Sequence, residues 1–120
     1  MLVKHCAECP QLIANDGSRL RELLHPDTDA LELPYSLALA ELAPGERSLK
    51  HRLAQNEVYH LITGAGRMHV DGENELVVAG DAIFVPAGTA QWIENLSAVV
   101  LSFAVIVSPP WRAHDDELLA

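Results

Sequence analysis

Positive charge is in short supply in this sequence. Eight Lys and Arg stand against seventeen Asp and Glu, a formal net charge of −9 at pH 7. A surface this acidic repels a phosphate backbone, so nucleic acid is not an expected partner. Cysteine is sparser still. Two residues, Cys6 and Cys9, make no disulfide framework and point to a reduced, cytoplasmic protein. Their Cys-x-x-Cys spacing has no second pair to complete a four-ligand zinc site and no βαβ setting for redox work. The expectation is two thiols on a loose N-terminal segment. No run of about 20 apolar residues occurs, and no basic-then-apolar leader opens the chain, so neither membrane span nor signal peptide is expected. Repeats, low-complexity tracts and long linkers are also missing.

What is present is a 120-residue chain with 49% apolar residues, enough for one core and one domain spanning 1–120. Gly and Pro punctuate it at short intervals, as in an all-β sandwich or barrel. Candidate strands are Leu20–Leu24, Ser36–Leu42, Glu57–Thr63, Arg67–Val70, Glu75–Val78, Ala82–Val85, Gln91–Glu94 and Val99–Val107. Asp71-Gly72 reads as a tight hairpin turn, and Asp16-Gly17 as a similar one. The run Val99–Val107 is apolar on both faces except for Ser102, which predicts a buried central strand. Helix is scarce; only His114 to Leu119 carries the acids and leucines for a short terminal helix. So many strands in one small domain predict a closed β-barrel or jelly roll.

Two polar constellations stand out. In the first, five residues separate Gly45 from His51, three separate Leu53 from Glu57, and six separate Glu57 from Gly64. Strand alternation puts His51 and Leu53 on one face, and Glu57, Tyr59 and Leu61 on one face. If those strands adjoin, His51 and Glu57 converge in the barrel mouth, where imidazole beside carboxylate suits a divalent metal. The second runs from Gly80 through Pro86-Ala87-Gly88 to Gln91 and Asn95, with Gln91 and Ile93 sharing a face opposite Trp92 and Glu94.

At these residues the sequence resembles the cupin superfamily. Its first motif is matched by Gly45, His51-Arg52-Leu53, Glu57 and Gly64, and its second by Gly80, Pro86-Ala87-Gly88, Gln91 and Asn95, over about residues 45–95. Arg21-Glu22-Leu23-Leu24-His25-Pro26 and Pro109-Pro110-Trp111-Arg112 look like parts of small single-domain cupins, often labelled mannose-6-phosphate-isomerase-like. The resemblance implies an all-β double-stranded β-helix and, in metal-binding members, two histidines and a glutamate from the first motif and a histidine from the second. Here Leu53 and Gln91 occupy two of those four places. What remains is one nitrogen and two oxygen donors, His51, Glu57 and Gln91, for Mn, Fe(II), Ni or Zn.

Each candidate has a plainer alternative. Glu57 is a general base or a structural hydrogen-bonding carboxylate; Gln91 is a ligand or a substrate hydrogen bonder. Tyr59 lines the pocket or is a core tyrosine. His60 falls on the face opposite Glu57, on the outside or a dimer face. His69 alternates away from the core unless a bulge near Gly64 or Gly66 reverses its parity, which would make it a pocket residue and replacement ligand. Trp111 anchors the C-terminal segment on the barrel or on a second subunit. Arg19, Arg21, Arg47 and Arg67 bind an anionic ligand or are simply solvated or paired.

Two functions of different class follow. The leading one is a homodimeric cupin whose metal acts as a Lewis acid on a small oxygen-rich substrate, such as a sugar phosphate, keto acid or polyketide fragment. Isomerase, dioxygenase and decarboxylase chemistry are all compatible with the resemblance. The rival is a non-catalytic, metal-free cupin that binds or senses a small ligand. A weaker third is an interacting module with a filled barrel.

Overall fold

Asp71 and Gly72 both adopt positive φ, 51° and 88°. That is the two-residue turn whose twist matches that of flanking strands, and it closes a hairpin between β6 (Ala65–Val70) and β7 (Glu73–Val78). The Asp16-Gly17 turn likewise joins β1 (Gln11–Ile13) to β2 (Arg19–Leu24), with Asp16 Oδ1 accepting from the Ser18 amide at 3.0 Å. The remaining strands of this computed structural model, which describes residues 1–119, are β3 (Ser36–Leu42), β4 (His51–Leu53), β5 (Asn56–Thr63), β8 (Ala82–Val85), β9 (Ala90–Asn95), β10 (Leu101–Ser108) and β11 (Asp116–Leu118).

All strand pairs are antiparallel and form two sheets, a six-stranded one ordered β1-β2-β3-β10-β5-β8 and a five-stranded one ordered β11-β4-β9-β6-β7. The architecture is the all-β jelly roll. Among the described residues no helix is long and apolar enough to cross a membrane.

Between the sheets, Leu42, Leu61, Met68, Ile93, Leu101 and Phe103 form a buried core. β10 is central, as its sequence predicts, lying between β3 and β5. Its inner face (Leu101, Phe103, Val105, Val107) is buried, while Ser102, Ala104 and Ile106 on the outer face are only half-buried. Gly66 lets β6 approach β9, because a Cβ there would lie 2.1 Å from Glu94 O.

Three expectations need correction. The terminal helix at His114–Leu119 is instead a 3₁₀ turn, Ala113–Asp115, followed by β11. Six residues are too few to hold a helix alone, and the open edge of β4 offers backbone partners: Asp116 pairs with Leu53 and Leu118 with His51. The N-terminal segment is not loose. Cys6–Glu8 form a 3₁₀ turn, Cys9 is buried, and the Arg21 guanidinium donates to the carbonyls of Cys6 and Cys9. Finally, β4 and β5 do not adjoin; they belong to opposite sheets, so His51 and Glu57 face one interior from its two walls.

Candidate functional site

One end of the interior is not filled. A cavity of about 270 Å³ opens there, with walls drawn from β1, β2, β3, β5 and β10 of one sheet and β4 and β11 of the other. Its lining is mostly apolar, including Leu20, Ala38, Leu53, Phe103, Val105 and Val107. His51, Glu57 and Tyr59 line it, and Gln91 lies against Tyr59 outside the lining.

Each polar group owes its setting to its strand. His51, 4% exposed, points inward from β4, and its Nδ1 lies 2.9 Å from Leu49 O. A carbonyl only accepts, so Nδ1 carries the proton and Nε2 is the ring nitrogen left for another partner. Glu57, 7% exposed, opens the inner face of β5, and its Oε1 is buried without a partner. Burial pushes its carboxyl up to about 8. The Gln91 amide opposes that rise without forming a hydrogen bond to Oε1, and Asp16 and Asp116 add to it. Tyr59 donates its hydroxyl proton to Gln91 Oε1 at 2.5 Å and stacks on Phe103 with centroids 5.2 Å apart. Burial also raises the Tyr59 phenol well above its usual value.

The alternation argument holds along β9. Gln91 and Ile93 are buried, and Asn95 is buried on the same side. Asn95 is a structural latch rather than a pocket group: its amide donates to Leu42 O and Val99 O, and its Oδ1 accepts from Ser97.

His69 is not in the pocket. β6 pairs with β7 and β9 without a register shift, so no bulge reverses its parity. It stacks on Trp92 with centroids 3.6 Å apart, and its Nε2 meets Glu94 Oε1 at 2.7 Å, while Arg47 sits over the same Trp92. His60 is exposed on the outer face of β5. The four arginines are also absent from the cavity wall: Arg19 is paired with Glu41 and Glu46, Arg21 holds the N-terminal turn, and Arg67 donates to Asn74.

Sequence reasoning did not find the cavity's other polar residues. Asp16 comes from the first hairpin turn and Asp116 from β11, the latter with Oδ1 buried and unpartnered. Trp111 does anchor the C-terminal segment on the barrel. Its amide donates to Ser36 Oγ, its indole to Asp116 Oδ2, and its carbonyl accepts from His25 Nε2 at 2.7 Å. The Asp27 amide donates to His25 Nδ1, so both His25 nitrogens are engaged. The one signal for Asp16 and His25 was a polar side chain next to Gly17 or Pro26, which usually marks only a turn, and Asp116 carried none.

A divalent metal does not fit this donor set. Leu53 has no donor, and Gln91 Oε1 is already bonded to Tyr59. Among the described residues, no group of three or more His, Cys, Asp or Glu is placed to hold an ion. His51 Nε2 and Glu57 alone fall short of the three or four protein ligands such sites use.

A family model described as a cupin domain matches residues 38–107. An uncharacterized protein of Methanocaldococcus jannaschii is 37% identical over 108 residues, covering 89% of this chain and 86% of that protein. Among solved structures, a predicted oxalate decarboxylase from Thermotoga maritima has a TM-score of 0.78 at 23% identity, covering 90% of this chain and 99% of the other. The polyketide cyclase RemF of Streptomyces resistomycificus has a TM-score of 0.80 at 20% identity, covering 100% of this chain and 86% of the other. At such identities the two structures speak for the fold.

Proposed function

The chain belongs to the cupin domain family, and on that footing we propose that it is a binding cupin whose barrel takes a small, mostly apolar molecule without a resident metal. The observation that carries this reading is the cavity of about 270 Å³, apolar in most of its wall, with the buried Glu57 Oε1 unpartnered at its edge. Such a volume is at the small end for a metabolite pocket, and a few placed polar groups in an apolar wall are what orient a ligand. An anionic substrate such as a sugar phosphate or keto acid is disfavoured, because no Lys or Arg lines the cavity while Asp16, Glu22, Glu57 and Asp116 do.

A second reading, metal-independent proton transfer, is favoured by Glu57, whose carboxyl titrates at about 8 and so sits near working pH as acid or base. The neighbours named as a predicted oxalate decarboxylase and a polyketide cyclase illustrate how one barrel hosts different chemistries. The unpaired Cys6 and Cys9 support a reducing, cytoplasmic setting. A second copy of the chain remains the proposed partner: Leu39, Val58, Ile62, Phe84, Ala104 and Ile106 form an apolar patch on the outer face of the six-stranded sheet, beside His60 and Ser102, and Phe84 is 59% exposed.

The test is metal analysis by mass spectrometry of untagged, chelator-free protein, before and after incubation with Mn, Fe(II), Ni and Zn. Substoichiometric metal, unchanged in His51→Ala, is expected. One ion per chain that disappears in His51→Ala would overturn the metal-free reading. Sedimentation velocity tests the dimer: Phe84→Lys is expected to halve the mass, and a wild-type monomer would remove the partner.

A further inference from the structure

The hydrogen-bonding groups around the cavity are unequally committed. Nearly every side-chain donor in the wall is engaged within the protein. The His51 Nδ1 proton goes to Leu49 O, the His25 Nε2 proton to Trp111 O, the Tyr59 hydroxyl to Gln91 and the Trp111 indole to Asp116. The Ser18 hydroxyl donates to Asp16, and the Asn15 amide to Asp116 O. Ser36 accepts from the Trp111 amide and keeps its own proton uncommitted. Behind the wall the Gln91 amide nitrogen is a buried donor without a partner, but the acceptors in the wall itself are the opposite case: Glu57 Oε1 and Asp116 Oδ1 are buried without partners, and His51 Nε2 is the ring nitrogen not bonded to Leu49 O.

Charge points the same way. Asp16, Glu22 and Asp116 line the cavity together with Glu57, which burial keeps protonated below about pH 8, and among the described residues no Lys or Arg does. The nearby Arg112 is turned outward onto Asp27.

We propose that the molecule bound here carries a positively charged, proton-donating nitrogen, a primary or secondary ammonium on a small apolar body. This rests on reading the cavity as a ligand pocket. An anion, an ether or a ketone would bring further acceptors to a wall already short of donors, leaving buried lone pairs unmatched. An ammonium brings donors in several directions and a positive charge that favours the ionised form of Glu57, which burial alone holds protonated up to about pH 8. The apolar wall takes the hydrocarbon part, and Trp111, Tyr59 and Phe103 add aromatic surface that favours a cation. A divalent ion satisfies the charge but not the spacing, since the carboxylates are spread round the cavity rather than gathered at one point.

The experiment is a chemical-shift titration of the full chain with butylamine, benzylamine and phenethylamine, each beside its matching alcohol and carboxylate. The expected result is amine binding at least tenfold tighter than the matched alcohol and carboxylate. That preference should collapse in Glu57→Gln and shrink in Asp116→Asn, with both variants confirmed folded by their spectra. Alcohols or carboxylates that bind as well as the amines would overturn the ammonium and leave the pocket reading standing. An amine preference that survives intact in both folded variants would also overturn it. If none of the nine compounds shifts a cavity resonance, the pocket reading falls and the ammonium with it.

Discussion

The two ends of this barrel are made from the same strands and differ in what those strands put inside. At the closed end, Leu61 of β5, Ile93 of β9 and Leu101 of β10 are wholly buried and pack together with Met68 and Leu42. At the other end the same β5 presents Glu57, and β10 presents Val105 and Val107 to a cavity. The stacked Tyr59–Phe103 pair belongs to both, the edge of the packed core and part of the cavity wall. Moving four residues along β5, from Leu61 to Glu57, thus passes from apolar packing that stabilises the fold to a buried carboxyl that opposes it. The difference teaches that the stability of this barrel is held at one end so that the other can keep polar groups incompletely matched, as binding sites do.

The largest effect that would sharpen this contrast concerns Glu57 and pH. Its folded-state carboxyl titrates at about 8 against an ordinary 4.5, so between those values the folded protein holds a proton the unfolded chain has released. Stability from this group is therefore greatest below pH 4.5, falls as pH rises through the window and levels off above 8. The slope is about 1.4 kcal/mol per pH unit, a total on the order of 5 kcal/mol. Urea unfolding of Glu57→Gln against wild type at pH 5 and pH 8 is expected to show the variant gaining relative stability at the higher pH. Parallel pH dependences would remove the strained end from the comparison.

Next in size is truncation at the closed end. Leu61→Ala is expected to cost about 3 kcal/mol through lost burial and a new void. Leu53→Ala, which enlarges a cavity already present, is expected to cost clearly less in the same denaturation series. Equal losses would mean the two ends are packed alike. Tyr59→Phe, at the junction, leaves Gln91 Oε1 buried without its donor and is expected to cost about 2 kcal/mol. The smallest effect belongs to the outer surface: His69→Ala is expected to lose under about 1 kcal/mol, since its stack on Trp92 and its pairing with Glu94 are partly solvated. It should leave amine titrations unchanged, and altered binding there would mean the outer face communicates with the cavity.

Much of the fold was legible because strand alternation is a local property. Ser36–Leu42 and Ala82–Val85 coincide with β3 and β8, and the inward sets His51/Leu53, Glu57/Tyr59/Leu61 and Gln91/Ile93 are all buried. The short pieces were harder. Gln11–Ile13 and Asp116–Leu118 are three-residue strands, too brief to carry a period, and they exist because β2 and β4 have edges to be paired. The site was legible in part for the same reason. His51, Glu57 and Tyr59 line the cavity together, whereas Gln91 is held behind Tyr59, and His69 depended on a bulge that β6 lacks.

By itself, then, the sequence determined which side chains face inward, where the chain turns and which family motifs it carries, because alternation, Gly-containing turns and motif spacing act over a few residues. Only the tertiary structure decided that one end of the interior stays open, that Asp16 and Asp116 meet Glu57 from opposite ends of the chain, and that most side-chain donors in the cavity wall are already engaged. Those outcomes depend on which sheet each strand joins, and pairing between residues a hundred positions apart leaves no local trace in the sequence.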